Sequence, residues 1–198
     1  MKPPTLRDLK RAETCERVYE TALNEFARVG VDDARVSEIC RQAGVAKGTF
    51  FFHFPTKDHV LLERQRRISV AMAARIEREL GDVPDSAAFL RQLVEIVLAE
   101  HRAVGNLDLV RQINLAIVRQ GGHQSLGVHS TAFGGALTRQ IRQLQHKGVM
   151  RKGIDAARLA DTLRLSFFGF LLDPGSSFET SRPRIAFLAN LLAAPLAG

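Results

Sequence analysis

Tryptophan is absent from this 198-residue chain, tyrosine occurs once and cysteine twice. Two thiols make no disulfide framework, and a chain of this length buries enough core to fold without one. Histidine is sparse too: none of the six stand at the i, i+4 spacing that puts two metal ligands on one helix face. No metal site and no cofactor are expected. No window reaches the roughly 20 apolar residues of a membrane span. The uncharged stretch from Ile185 to Gly198 is shorter and contains Asn190 and Pro195. Lys2, Arg7, Asp8, Lys10, Arg11, Glu13, Glu16, Arg17 and Glu20 leave no room for an apolar signal core at the start. These absences lead to an expected cytoplasmic, soluble protein with no membrane partner.

What is present favours helices. Hydrophobic residues make up 45% of the chain and charged ones 25%, which excludes wholesale disorder. The net charge is +7, yet residues 1–60 hold 10 basic against 9 acidic side chains, and the rest hold 18 against 12. Gross charge therefore does not mark either end as a nucleic-acid module. Gly and Pro, Pro183 among them, fall mostly between periodic stretches, and no alternating strand pattern persists. The expectation is an all-α chain of about nine helices. These run near Lys10–Val29, Val36–Ala43, a short helix to Phe54, Thr56–Leu80, Asp85–Ala103, Asn106–Gln120, Val128–Lys147, Asp155–Leu172 and Arg182–Leu192.

The chemistry concentrates in residues 36–54, V-S-E-I-C-R-Q-A-G-V-A-K-G-T-F-F-F-H-F. Ile39, Cys40 and Ala43 face inward on a two-turn helix, Gly44 allows a tight turn of positive φ, and Val45, Phe50 and Phe54 supply the next inward face. Small Cys40 lets two helices cross closely. This is the spacing of a helix-turn-helix, whose second helix enters the DNA major groove.

The longer run G-V-A-K-G-T-F-F-F-H-F-P-T-K-D-H-V-L-L resembles the recognition segment of TetR-family transcriptional regulators, as does the F-A-R-V-G that closes the first helix. The resemblance spans about residues 10–64. It implies a helix-turn-helix DNA-binding domain over residues 1–58, with its motif at about 35–54, and a ligand-binding and dimerisation domain over 59–198. The implied protein is a homodimeric repressor of a near-palindromic double-stranded operator, released by a small apolar or amphipathic ligand. Arg35 and Ser37 then open the helix that makes phosphate and some base contacts. Lys47, Gly48 and Thr49 begin the recognition helix. Phe51, Phe52 and His53 fall where thymine-methyl and phosphate contacts lie, and Lys57 where a lysine grips phosphate at the start of the fourth helix.

Departures accompany the likeness. Tyrosine is usual at one or both of the positions of Phe51 and Phe52, so a phosphate-directed hydroxyl is missing. Ala46 replaces a common capping serine. Arg35 replaces a Thr or Ser cap, with Glu38 left as half of a capping box, and Thr56 is placed to cap the fourth helix.

In the second half, the last two helices are apolar on more than one side: Leu165, Phe168 and Leu172 beside Leu159, Leu163, Phe167 and Phe170, then Ile185, Phe187, Leu188, Leu191 and Leu192. A helix apolar on two sides is buried on two sides, which points to a partner subunit, with a central core helix as the competing reading for the first of the two. Met72, His101, Asn114, Phe133 and Phe168 are the candidate ligand-pocket residues, with core packing as the competing reading. A partner protein in place of a ligand stays open as the regulatory input. No catalytic residue is expected: Cys15 and Cys40 neighbour no histidine and lie on inward faces, where thiols are inert.

Overall fold

The computed structural model describes residues 3–121, 131–173 and 177–197. Among them are nine helices: α1 (Leu6–Val29), α2 (Val36–Ala43), α3 (Lys47–His53), α4 (Lys57–Glu79), α5 (Ser86–Arg102), α6 (Leu107–Arg119), α7 (Ala132–His146), α8 (Ala156–Leu172) and α9 (Phe178–Leu196). There is no strand among the described residues. A lone antiparallel bridge joins Met150 to Ala197. The expected all-α class is what the chain adopts. The start placed at Val128 for the seventh helix lies outside the described residues.

Two helices begin earlier than their apolar periodicity indicates. Helix α1 starts at Leu6 because Thr5 and Asp8 form a reciprocal capping box, the Thr5 hydroxyl taking the Asp8 N–H and the Asp8 carboxylate the Thr5 N–H. Helix α9 starts at Phe178 behind a second box, Ser177 with Thr180, and runs on through Pro183. Pro183 thus lies inside the helix and not at its boundary, giving up one backbone N–H but not the helical path.

The chain divides into two compact units, Met1–Glu63 and Arg64–Gly198, with the division within α4. In the first unit Val18, Tyr19, Ala22 and Phe26 of α1 meet Ile39, Cys40 and Ala43 of α2 and Phe50 of α3 in a closed core. In the second, α9 packs along α5, and α8 lies against α6 and α7. Ser86 on α5 donates to the Ala193 carbonyl (2.8 Å), and Arg182 bridges to Glu95 (2.7 Å), pinning α9 at two heights. Leu90, Leu93, Val97, Leu137, Ile141, Leu163 and Ile185 fill the interior. No described helix is long and apolar enough to cross a membrane.

A candidate nucleic-acid interface

The turn between α2 and α3 is built from three local devices. Gly44 sits in the left-handed region at φ 64°, ψ 40°, and its N–H closes α2 on the Cys40 and Arg41 carbonyls. A side-chain Cβ at that φ is strained, so glycine is the residue the turn requires. From α1, Arg17 donates through Nε to the Ala43 carbonyl at 3.0 Å. An outward-facing charge of the first helix thereby caps the second. Cys40 is buried at this crossing, and burial pushes its thiol up, partly offset by Lys47. A protonated, enclosed thiol makes no nucleophile.

Helix α3 is held by a single buried side chain, Phe50, whose ring meets Phe51 edge-on at 5.4 Å between centroids and Phe54 at 6.2 Å. The rest of the helix is offered outward. Lys47, Gly48, Phe51 and Phe52 are exposed, while Thr49 and His53 are half-buried. A Cβ added at Gly48 would meet nothing within 4 Å, so packing inside the chain does not ask for glycine there. As expected from Ala46, α3 has no side-chain cap. Arg35 and Ser37, at the start of α2, are exposed as well.

Glu38 does not complete a capping box. Its carboxylate receives two bonds from Arg41 (3.0 and 2.5 Å) and one from Gln42 (2.8 Å), which hold its pKa down at about 2. The Thr56 hydroxyl, ahead of α4, lies 2.9 Å from His59 Nδ1.

Lys57 has its partners within its own unit. Its ammonium donates to the carbonyls of Val31 (2.6 Å), Asp32 (3.0 Å) and Ala34 (3.2 Å). An ammonium has three N–H groups, and all three are engaged. In the free protein the side chain expected to grip phosphate binds the connection between α1 and α2, which carries Arg35 at its end.

One residue of this surface escaped the sequence reading. Arg11 of α1 lies over the Phe52 ring, its Cζ 4.7 Å from the centroid. His53 is held below its ordinary pKa, by burial first and then by the Arg11 charge, so its ring is neutral at pH 7.

The candidate pocket residues behave differently. Met72, His101, Asn114 and Phe133 are buried, and Phe168 is half-buried. His101 donates from Nδ1 to the Val97 carbonyl (2.7 Å), and burial lowers its pKa. Asn114 donates to the Val110 carbonyl (2.9 Å). Both polar groups are thus satisfied within their own helices. A groove of about 890 Å³ lies elsewhere, between α4, α5 and α9, with Arg75, Glu79, Arg91, Glu95, Arg182 and Pro183 on its walls. None of the five candidate pocket residues lines it. Among the described residues no group of three or more His, Cys, Asp or Glu is placed to hold a metal.

A glycine-turned helix pair, braced by a first helix and offering one nearly unburied short helix, defines a helix-turn-helix DNA-binding head. Residues 18–63 match the family described as bacterial regulatory proteins, tetR family. The chain is 43% identical over 118 residues to the helix-turn-helix transcriptional regulator TtgW of Pseudomonas putida, covering 60% of this chain and 82% of that one. It is 28% identical over 152 residues to the fatty acid metabolism regulator protein of Bacillus subtilis, covering 73% and 74%. The fold superimposes on the Thermus thermophilus repressor FadR in complex with lauroyl-CoA with a TM-score of 0.70 at 21% identity, over 89% of this chain and 93% of that one. The chain belongs to the TetR family, and it is a DNA-binding transcriptional regulator and not an enzyme.

Proposed function

We propose that the protein is a cytoplasmic homodimeric repressor that inserts one α3 per protomer into successive major grooves of a near-palindromic operator and leaves it on binding a small apolar or amphipathic ligand. The observation that carries the DNA half is the outward face of α3. Lys47, Gly48 and Thr49 lead into the groove, with Gly48 allowing close backbone approach. Phe51 and Phe52 pack on deoxyribose or thymine methyls, and His53 stands at their edge. Arg35 and Ser37 contact phosphate from α2. Lys57 acts on this surface by holding the connection that ends in Arg35.

The dimer reading rests on apolar side chains left in water by α8 and α9. Leu165 is 41% exposed, Phe187 70% and Leu191 61%. A patch of this kind marks an interface. For the ligand, a relative named for fatty acid metabolism and a fold neighbour bound to lauroyl-CoA favour an amphipathic acyl compound. Residues from α4, α5 and α9 wall the 890 Å³ groove, which is of a size to take one. Met72, His101, Asn114, Phe133 and Phe168 stand apart from that groove and remain a separate proposal as ligand-binding residues.

Selection of bound sequences from random DNA tests the first half. A near-palindrome with half-sites about 34 Å apart is expected, and an asymmetric or absent consensus refutes it. Titrating lauroyl-CoA with and without saturating operator tests the second. Coupled sites weaken each other by one common factor, whereas equal affinities refute release by this ligand class and favour a partner protein.

A further inference from the structure

We propose that Arg11 is itself a DNA-contacting residue, stacked on Phe52 so that its guanidinium delivers to a phosphate the hydrogen bonds that the bare Phe52 ring cannot. The proposal rests on the reading that α3 docks on DNA. Phe52 is 62% exposed on the outward face of that helix and carries no hydroxyl. Arg11 lies over it at 4.7 Å, and it reaches that place from α1, on the far side of the motif in sequence. A guanidinium stacked on a ring uses its face for the ring, while its five N–H groups point outward in the plane. Among the described residues those groups are not spent inside the protein. Asp8, one turn earlier on α1, has its carboxylate bonded by Thr5 and feels the Arg11 charge, but no described carbonyl or carboxylate receives a hydrogen bond from Arg11.

A planar cation held by an aromatic platform, with its donor edge free beside a DNA-facing helix, fits a phosphate oxygen pair. Beside its own packing on DNA, the ring positions the guanidinium, and the guanidinium is the phosphate contact. Together they replace a tyrosine hydroxyl at the same spot on the surface. The occupant is the sugar–phosphate backbone, so the contact adds affinity and leaves base preference unaltered.

Affinity for the selected operator, measured across a salt series, tests this. Arg11→Ala is expected to lower affinity several-fold on all sequences alike and to flatten the slope of log affinity against log salt by about 0.9 per half-site. Arg11→Lys keeps the charge but not the fork, so it is expected to keep the slope and lose part of the affinity. Phe52→Leu is expected to cost less in the Arg11→Ala background than in the parent, because the part of the ring's effect that runs through the guanidinium is already gone. Phe52→Tyr in that background is expected to recover part of the loss. An unchanged slope for Arg11→Ala, with Lys47→Ala still changing sequence preference, overturns the proposal and leaves the docking of α3 standing. If neither variant alters binding, the docking itself is refuted.

Discussion

Replacing Lys57 by methionine keeps the length and apolar stem of the side chain and removes three hydrogen-bond donors. The acceptors differ in setting: the Val31 and Ala34 bonds are partly buried, and the Asp32 bond is exposed. Hydrogen bonds from a charged donor contribute about 1.5–3 kcal/mol each when desolvated, while water replaces an exposed one at little loss. Releasing a half-buried, conformationally rich side chain offsets part of this. The net cost to the DNA-binding unit is therefore about 2 kcal/mol. At roughly 2–4 °C per kcal/mol for a chain of this size, the melting temperature of Lys57→Met falls by about 4–8 °C. Operator affinity falls as well, because the freed connection presents Arg35 less firmly, but the salt dependence of binding stays parallel to the parent's. Thermal melting followed by anisotropy titrations at several salt concentrations reads both quantities. An unchanged melting temperature with a slope flattened by about 0.9 per half-site would show that the ammonium grips phosphate and that the three-carbonyl clamp is incidental.

Charging the exposed patch with Phe187→Glu and Leu191→Glu is expected to give a folded monomer in sedimentation and to weaken operator binding steeply, since one head forms only half the phosphate contacts; an unaltered dimer would move the interface elsewhere. His53 titrates below its unfolded value of 6.5, so the unfolded chain takes up that proton first, and stability of the free protein falls as the pH drops below 6.5. Denaturant midpoints above and below that pH should show a smaller acid loss in His53→Gln than in the parent; equal losses would assign the effect to other groups.

The helix-turn-helix was legible because its chemistry is local. A glycine turn, small Cys40 and the inward Phe50 stand within a dozen residues, and the outward side chains of α3 follow from the same register. Helix starts were less legible. Apolar periodicity in α1 becomes clear only at Cys15, while the cap that begins the helix, Thr5 with Asp8, lies ten residues earlier and uses Asp where Glu or Gln is the usual partner. Pro183 suggested a boundary, but the Ser177–Thr180 box had already committed the chain to helix. Lys57 and Arg11 could not be placed by pattern at all. Each is defined by partners some tens of residues away, and an exposed cation in sequence is the same whether it meets a phosphate, a carbonyl or a ring. His101 and Asn114 looked alike as polar interruptions of apolar stripes, and bonds to their own helices' carbonyls answered both.

The thin attachment of α3 has a consequence for how such a protein diverges. Of its seven residues only Phe50 is embedded in the core. The other six can change with little effect on folding, so the DNA sequence read by this head is nearly uncoupled from the stability of the scaffold that carries it. A duplicated copy can acquire a new address one surface residue at a time, without passing through an unfolded intermediate. The constraint falls instead on the peg, on the Gly44 turn and on the Arg17 and Lys57 tethers, which set where the helix is presented and not what it reads.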